Sequence, residues 1–355
     1  MVSFTVFKGS KTGIPVQSTT TKPDTLTGDQ VLMKITASGL CGTGKSQSHV
    51  GCLFHEKMLT TAPTRIDLHY VDQDIVLGHE GVGVVEDVGP NCAYLKKGDR
   101  VGFGYEHDSC GHCRHCLTGR ETYCVNRSMY GFKDLDQGSF ASHAIFREAF
   151  LHKIPEGMSD IDAAPLQCAG ATVFAVLRDF DTQPTETIGV IGLGGLGHLA
   201  IQFAAKMGNR VIVLSGTDSK KEEAFKLGAH EFIAIKGKTK LEVSTPIDRL
   251  IVTTSAQPDW DLILPVMSPG ATIYPLSVSS DKLVIPYEPI LFQGIGIQGS
   301  LVASRNIHRE MLAFAALHNI KPITETFPMT EDGIKDAFER LKRGDIHLRA
   351  VLTVQ

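Results

Sequence analysis

A chain of 355 residues exceeds what one ordinary hydrophobic core organises, and it predicts two domains. Its 42% hydrophobic content and mean hydropathy of +0.01 fit a globular protein in water. A net charge of -4 gives no electrostatic reason to expect nucleic acid or an anionic membrane as partner, so small molecules are the expected ligands.

No apolar run approaches the roughly 20 residues of a spanning helix, and Met1 to Ser10 lack the apolar centre of a secretory signal, so the expected setting is cytoplasmic. Up to Phe103 the pattern is short, β-rich and punctuated by glycine. Strands are expected at 31–35 and 83–88, a turn feeding another at 97–101, and a further strand at 140–145, as in a partly open β-barrel. After Pro155 the texture changes: Ser159 caps a short helix through Ala164, and 170–177 reads as a buried helix. Strands at 187–191, 211–214, 249–253 and 271–274 then alternate with helices at 196–207, 220–227 and 260–267, which implies a parallel sheet covered on both faces. Helices at 306–318 and 330–343 and a strand at 350–354 are expected to return to the first domain. The predicted division is a catalytic domain over 1–168, a cofactor domain over 169–303 and a return segment over 304–355.

Eight cysteines lie at 41, 52, 92, 110, 113, 116, 124 and 168, four of them within fifteen residues. In a reducing compartment that clustering favours metal thiolates over disulfides. Cys110, Cys113 and Cys116 stand at two-residue gaps and Cys124 follows after seven, a spacing that lets one loop wrap a tetrahedral structural zinc. His112 and His115, between ligands, are expected to face outward. A second set forms around Gly78-His79-Glu80-Gly81-Val82-Gly83 with Cys41 upstream and Cys168 downstream: an imidazole, a carboxylate and two thiols suit a zinc ion with one position open.

Gly192-Leu193-Gly194-Gly195-Leu196-Gly197 follows a β-type run and opens a helix, the setting in which glycines admit a pyrophosphate to free N–H groups. At the end of the next strand an acid would accept hydrogen bonds from the ribose of NAD. Here Ser215, Thr217 and Lys220 suit a 2′-phosphate, which favours NADP(H), while Asp218 keeps NAD(H) open.

Together these residues resemble the zinc-containing medium-chain dehydrogenase/reductase family, the alcohol dehydrogenases, and within it the cinnamyl-alcohol-dehydrogenase-like branch. The likeness runs from Ala37 to Thr43, through Gly78-His79-Glu80, the cysteine loop, Pro165 to Phe174 and the glycine loop, to His347-Leu348-Arg349. It implies an α/β two-domain fold, a GroES-like β-barrel catalytic domain plus a Rossmann doubly wound parallel sheet, with two zinc ions per chain. It implies Cys41, His79 and Cys168 as catalytic zinc ligands, Glu80 as a nearby carboxylate, Thr43 and His69 as the proton path, and Arg349 against the cofactor's phosphate. The implied activity is alcohol dehydrogenase or aldehyde reductase, in a homodimer or homotetramer.

One departure stands out. The family's Cys-x-Thr/Ser-Asp-x-His motif is split here: Cys41-Gly42-Thr43 leads into Gly44-Lys45-Ser46, and Asp67-Leu68-His69 appears only after 23 further residues, 44–66. Deleting 44–66 restores an uninterrupted motif with the frame intact, and the hypothesis is a translated intervening sequence; a transcript carrying the insert as its dominant form refutes it. In the protein, an insert either loops out and leaves Asp67 and His69 near the site, or displaces them and produces a catalytically impaired homologue that still binds cofactor. Cys52, His49 and His55 within it are expected to be incidental.

Overall fold

The computed structural model describes residues 1–11, 14–41, 74–279 and 282–354; Thr43, Asp67, His69 and the insert 44–66 lie outside these. A hairpin of β1 (Val2–Lys8) and β2 (Val16–Lys22) leads to β3 (Gln30–Leu40), β4 (Gly81–Val88) and β5 (Arg100–Phe103). Then come β6 (Glu106–Asp108), α1 (Arg114–Leu117), β7 (Ser128–Met129), β8 (His143–Arg147) and β9 (His152–Lys153). In β3 and β4 the inward residues Val31, Met33, Ile35, Val82 and Val85 are buried, and all but Val82 join one apolar cluster with Phe103 and Phe146. The expected strand at 140–145 begins later, at His143.

The helical run that follows joins the two halves. Ser159 caps α2 (Asp160–Pro165) by accepting the Asp162 N–H at 3.0 Å, and α3 (Ala171–Arg178) follows after one short turn. Between them Pro165 has no N–H to give, and Leu166–Gly170 widens into a π turn. The run Asp160–Arg178 is apolar and long enough to cross a membrane, yet 78% of its most apolar window is buried against the rest of the protein, as in a core helix. Ala163, Ala164, Val173 and Phe174 pack in one cluster with Ala37, Val82 and Val351 from the first half and Ile188 and Val190 from the second, so one core spans both halves.

The second half holds β10 (Thr187–Ile191), α4 (Gly197–Lys206), β11 (Arg210–Ser215), α5 (Lys221–Leu227), β12 (Glu231–Ala234) and β13 (Ile247–Val252). It continues with α6 (Trp260–Ile263), β14 (Met267–Pro275), α7 (Tyr287–Gln293) and β15 (Gly296–Ile297). The strands form a parallel sheet in the order β12-β11-β10-β13-β14-β15. The sequence runs outward from β10 in both directions, so the switch point lies at the C-terminal end of β10, where ligands of such sheets bind. The helix expected over 260–267 is shorter: Pro265 lies in a 3-10 turn over Leu264–Val266, and Met267 already begins β14. Short β12 and β15, and the exposed α7, escaped the sequence patterns because none has a long apolar period.

After α8 (Arg305–Leu317), β16 (Thr324–Pro328), α9 (Glu331–Arg343) and β17 (Arg349–Thr353), the chain ends in the first sheet. Its order is β16-β17-β3-β4-β5-β9, with β8 also on β3.

Candidate active site

Three strand ends and one helix turn meet at the cleft. Ser38 of β3 faces Gly81 of β4, and the Gly39 N–H donates to the Glu80 carbonyl at 3.0 Å, so Cys41 and His79-Glu80 flank neighbouring strands side by side. Antiparallel pairing sets Ala350 opposite Leu40 and brings Arg349 to the same end. The π turn delivers Cys168, braced where the Thr172 hydroxyl donates to its carbonyl at 2.8 Å. One ligand atom each from Cys41, His79, Glu80 and Cys168 lies within 4.8 Å of the others. Residues far apart in the chain, from Cys41 to Cys168, therefore converge on a single point.

His79 is buried, with its ring edge-on to Tyr105 at 5.4 Å and tilted against Tyr130 at 5.1 Å. The Tyr130 hydroxyl accepts the Gly78 N–H at 2.9 Å and so fixes the backbone that aims the imidazole. Neither tyrosine stands out in the sequence, where each reads as an ordinary core aromatic. Gly39 is equally unmarked there: a Cβ at that position would stand 1.9 Å from the Glu80 Oε2, so only glycine leaves room for the carboxylate.

Glu80 is fully buried and pairs with the guanidinium of Arg349. Burial pushes its carboxyl up to about 7 even against the pull of Arg349. Oε2 meets Arg349, while Oε1 is buried with no hydrogen-bond partner among the described residues. An orphaned carboxylate oxygen beside two thiols and an imidazole is a donor set with acceptor capacity to spare, and it fits a divalent cation of the zinc type.

The second cysteine set also converges. Sγ atoms of Cys110 and Cys116 are 3.9 Å apart and those of Cys113 and Cys116 3.5 Å, close to the edge of about 3.8 Å that a tetrahedron with metal–sulfur bonds of about 2.3 Å requires. All four ligand atoms, Cys124 included, lie within 4.8 Å of one another. The N–H groups of His112 and Cys113 lower the Cys110 thiol to about 7, toward the thiolate a metal binds. His112 and His115 are exposed, as their positions between ligands imply. Glu121, just ahead of Cys124, accepts the Arg305 N–H at 2.7 Å and its Nε at 2.9 Å, tying the loop to the start of α8.

The glycine loop lies at the switch point. A Cβ on Gly197 would stand 1.9 Å from the Gly192 carbonyl, which is why the turn closes only with glycine. Gly194 faces open space, and Gly195 lies against the Arg349 side chain. Ser215 ends β11, Thr217 and Ser219 share a 2.9 Å hydroxyl contact, and the Lys220 ammonium reaches back to the Leu193 carbonyl at 2.8 Å. Asp218 is exposed on the same turn. A cavity of about 510 Å³ runs from Cys41, His79 and Cys168 past Gly195 and Arg349 to Trp260, so the cation cluster and the glycine loop open on one space.

Comparisons with known proteins agree with this arrangement. Residues 27–156 match the alcohol dehydrogenase GroES-like domain and residues 195–316 match the zinc-binding dehydrogenase domain. An alcohol dehydrogenase of Geobacillus stearothermophilus is 32% identical over 332 residues, 92% of either chain. The NADP-dependent alcohol dehydrogenase C 1 of Mycolicibacterium smegmatis is 34% identical over 286 residues, 78% of this chain and 81% of that one. A cinnamyl alcohol dehydrogenase structure from Sorghum bicolor superposes with a TM-score of 0.83 at 29% identity, covering 99% of this chain and 98% of its own. With a barrel-type sheet, a doubly wound sheet and a soft-ligand cluster in the cleft between them, the chain belongs to the zinc-containing medium-chain alcohol dehydrogenases, oxidoreductases that act on alcohols.

Proposed function

We propose that the protein interconverts an alcohol and its carbonyl partner with NADP(H) as preferred hydride carrier, using a catalytic zinc held by Cys41, His79 and Cys168 and a structural zinc held by Cys110, Cys113, Cys116 and Cys124. The convergence of Cys41, His79 and Cys168 on the wall of the cavity that the glycine loop also lines, with Glu80 buried behind them, carries this reading. Zinc in the cleft would supply Lewis acidity that polarises a carbonyl and acidifies an alcohol. The nicotinamide would give or take the hydride.

The protein's own residues do the rest. Tyr105 and Tyr130 hold the His79 ring, Gly192 and Gly197 close the turn, Gly194 leaves open space for the pyrophosphate with Gly195 beside it, and Arg349 supplies positive charge between that loop and Glu80. Ser215, Thr217 and Lys220 form a hydroxyl and ammonium edge for a 2′-phosphate, in keeping with the NADP dependence named for the Mycolicibacterium relative. Thr43 and His69 keep the proton-path roles that the family motif implies. The domain division is 1–168, 169–303 and 304–355.

We also infer a second copy of the chain as partner. The edge strand β15 follows α7 in the chain, and on α7 Tyr287, Leu291 and Phe292 are 77%, 61% and 80% exposed, an apolar face followed by an edge that pairs with no further strand among the described residues. A monomer in sedimentation at micromolar concentration contradicts it.

Metal analysis and turnover test the main reading together. Two zinc ions per chain with aldehyde-dependent oxidation of NADPH, faster than of NADH, is the expected outcome. One zinc with cofactor binding and no turnover would instead identify a homologue silenced by the 44–66 insert.

A further inference from the structure

His198 is the second residue of α4 and is completely buried. Its Nδ1 lies 3.0 Å from the Gly194 carbonyl oxygen and its Nε2 lies 3.3 Å from the backbone nitrogen of Ile323. A carbonyl only accepts and an amide N–H only donates, so the tautomer is determined: the proton sits on Nδ1 and the lone pair on Nε2. Burial pushes the imidazole down to about 4, so the ring is neutral under ordinary conditions.

Both contacts have consequences for the glycine loop. The Gly194 carbonyl accepts the His198 backbone N–H at 3.1 Å as well as the ring N–H. In a trans peptide the carbonyl and the following N–H point in opposite directions. Anchoring the Gly194 oxygen toward the helix therefore turns the Gly195 N–H away from it, on the residue that lines the cavity beside Arg349. On the other side of the ring, Ile323 leads directly into β16, which pairs with the strand that carries Arg349. Gln202, one turn further along α4, donates to the Lys321 carbonyl at 3.0 Å and gives the helix a second strap to the same segment.

We propose that His198 is a positioning residue for the dinucleotide, whose ring orients the Gly194–Gly195 peptide toward the pyrophosphate and ties the loop to the strand pair that delivers Arg349. This rests on the cofactor reading above. Asparagine places its amide N–H near the Nδ1 position, whereas glutamine reaches the Nε2 position.

The test is a binding titration of wild type, His198→Asn, His198→Gln and His198→Leu, with no turnover required. The probes are whichever of NADPH and NADH the wild type prefers and the matching fragment without pyrophosphate, 2′-AMP or adenosine. Loss of one buried hydrogen bond corresponds to roughly tenfold. The dinucleotide Kd should therefore rise about tenfold in His198→Gln and His198→Leu, recover toward wild type in His198→Asn, and leave fragment binding unchanged in all three. Equal dinucleotide affinity in every variant overturns the proposal, as does a parallel loss for the fragment, which would mean general loosening of the domain. Should the leucine variant not fold, the contrast between the asparagine and glutamine variants decides the question by itself. A wild type that binds neither dinucleotide removes the cofactor reading and this inference with it, a result distinct from full binding that is indifferent to His198.

Discussion

The two cysteine clusters use similar atoms and are built in opposite ways. Cys110, Cys113, Cys116 and Cys124 come from one loop, and their spacing alone wraps a tetrahedron; two of the four are buried. Cys41, His79 and Cys168 come from two strand ends and a π turn, far apart in sequence, and strand pairing and packing bring them together. On the proposed reading the first is a closed set that serves the fold. The second leaves its buried carboxylate with an oxygen unpartnered among the described residues and opens on a cavity, so it can serve a substrate. Metal chemistry is thus separated from metal function by where the chain places the donors.

That contrast predicts opposite phenotypes. Cys168→Ser should reduce turnover by more than about 100-fold and halve the zinc content, because a first ligand matters at least as much as the outer partners whose loss typically costs about 10- to 100-fold. Its thermal midpoint should change little, since the thiol is one contact beside a core shared by both sheets. Cys113→Ser should also halve the zinc, but with the larger effect on stability, a loss above about 2 kcal/mol in urea unfolding, while turnover per folded molecule stays near wild type. Identical phenotypes for the two variants would erase the distinction.

Acid sharpens it further. Behind Cys168, the Gln167 side chain accepts from His308 Nε2 at 3.0 Å, and His308 stacks on His152 at 3.9 Å, both rings buried. Burial lowers the His308 imidazole to about 3 and His152 well below its ordinary value, with Arg309 adding to both. A folded-state value below the unfolded one means the unfolded chain binds the proton first. Stability is therefore complete above about pH 6.5 and falls as pH drops toward 3, with His308 contributing about 2 kcal/mol of loss by about pH 5 and His152 acting in the same direction. His308→Gln should flatten the pH dependence of the urea midpoint between about pH 6.5 and 5 by about one proton. An unchanged slope would show that His308 does not titrate with unfolding.

Legibility in the sequence followed the same divide. The four-cysteine loop was readable from spacing, and the glycine loop from its place between a strand and a helix. The parallel sheet was readable because strands buried on both faces leave unbroken apolar runs such as 187–191 and 211–214. The cleft cluster was suggested by its donor types and given its ligand roles only by family likeness, since no periodicity links Cys41 to Cys168. What stayed hidden depends on through-space neighbours: Tyr130 under Gly78, Gly39 clearing space for Glu80, and the tautomer of His198. The short β12 and β15 were missed because strands of four and two residues give alternation too little length to show.

The register that sets Ala350 against Leu40 bears on the order of assembly. During synthesis the barrel's opening strands emerge early, yet β17, the partner that β3 needs on one side, follows the whole cofactor-binding half. Until β17 is made, the acidic group behind the cleft lacks the Arg349 guanidinium, so nascent chains hold an incomplete centre however well their Rossmann half has folded. Premature stops between β15 and β17 should therefore yield cofactor binders without a working centre.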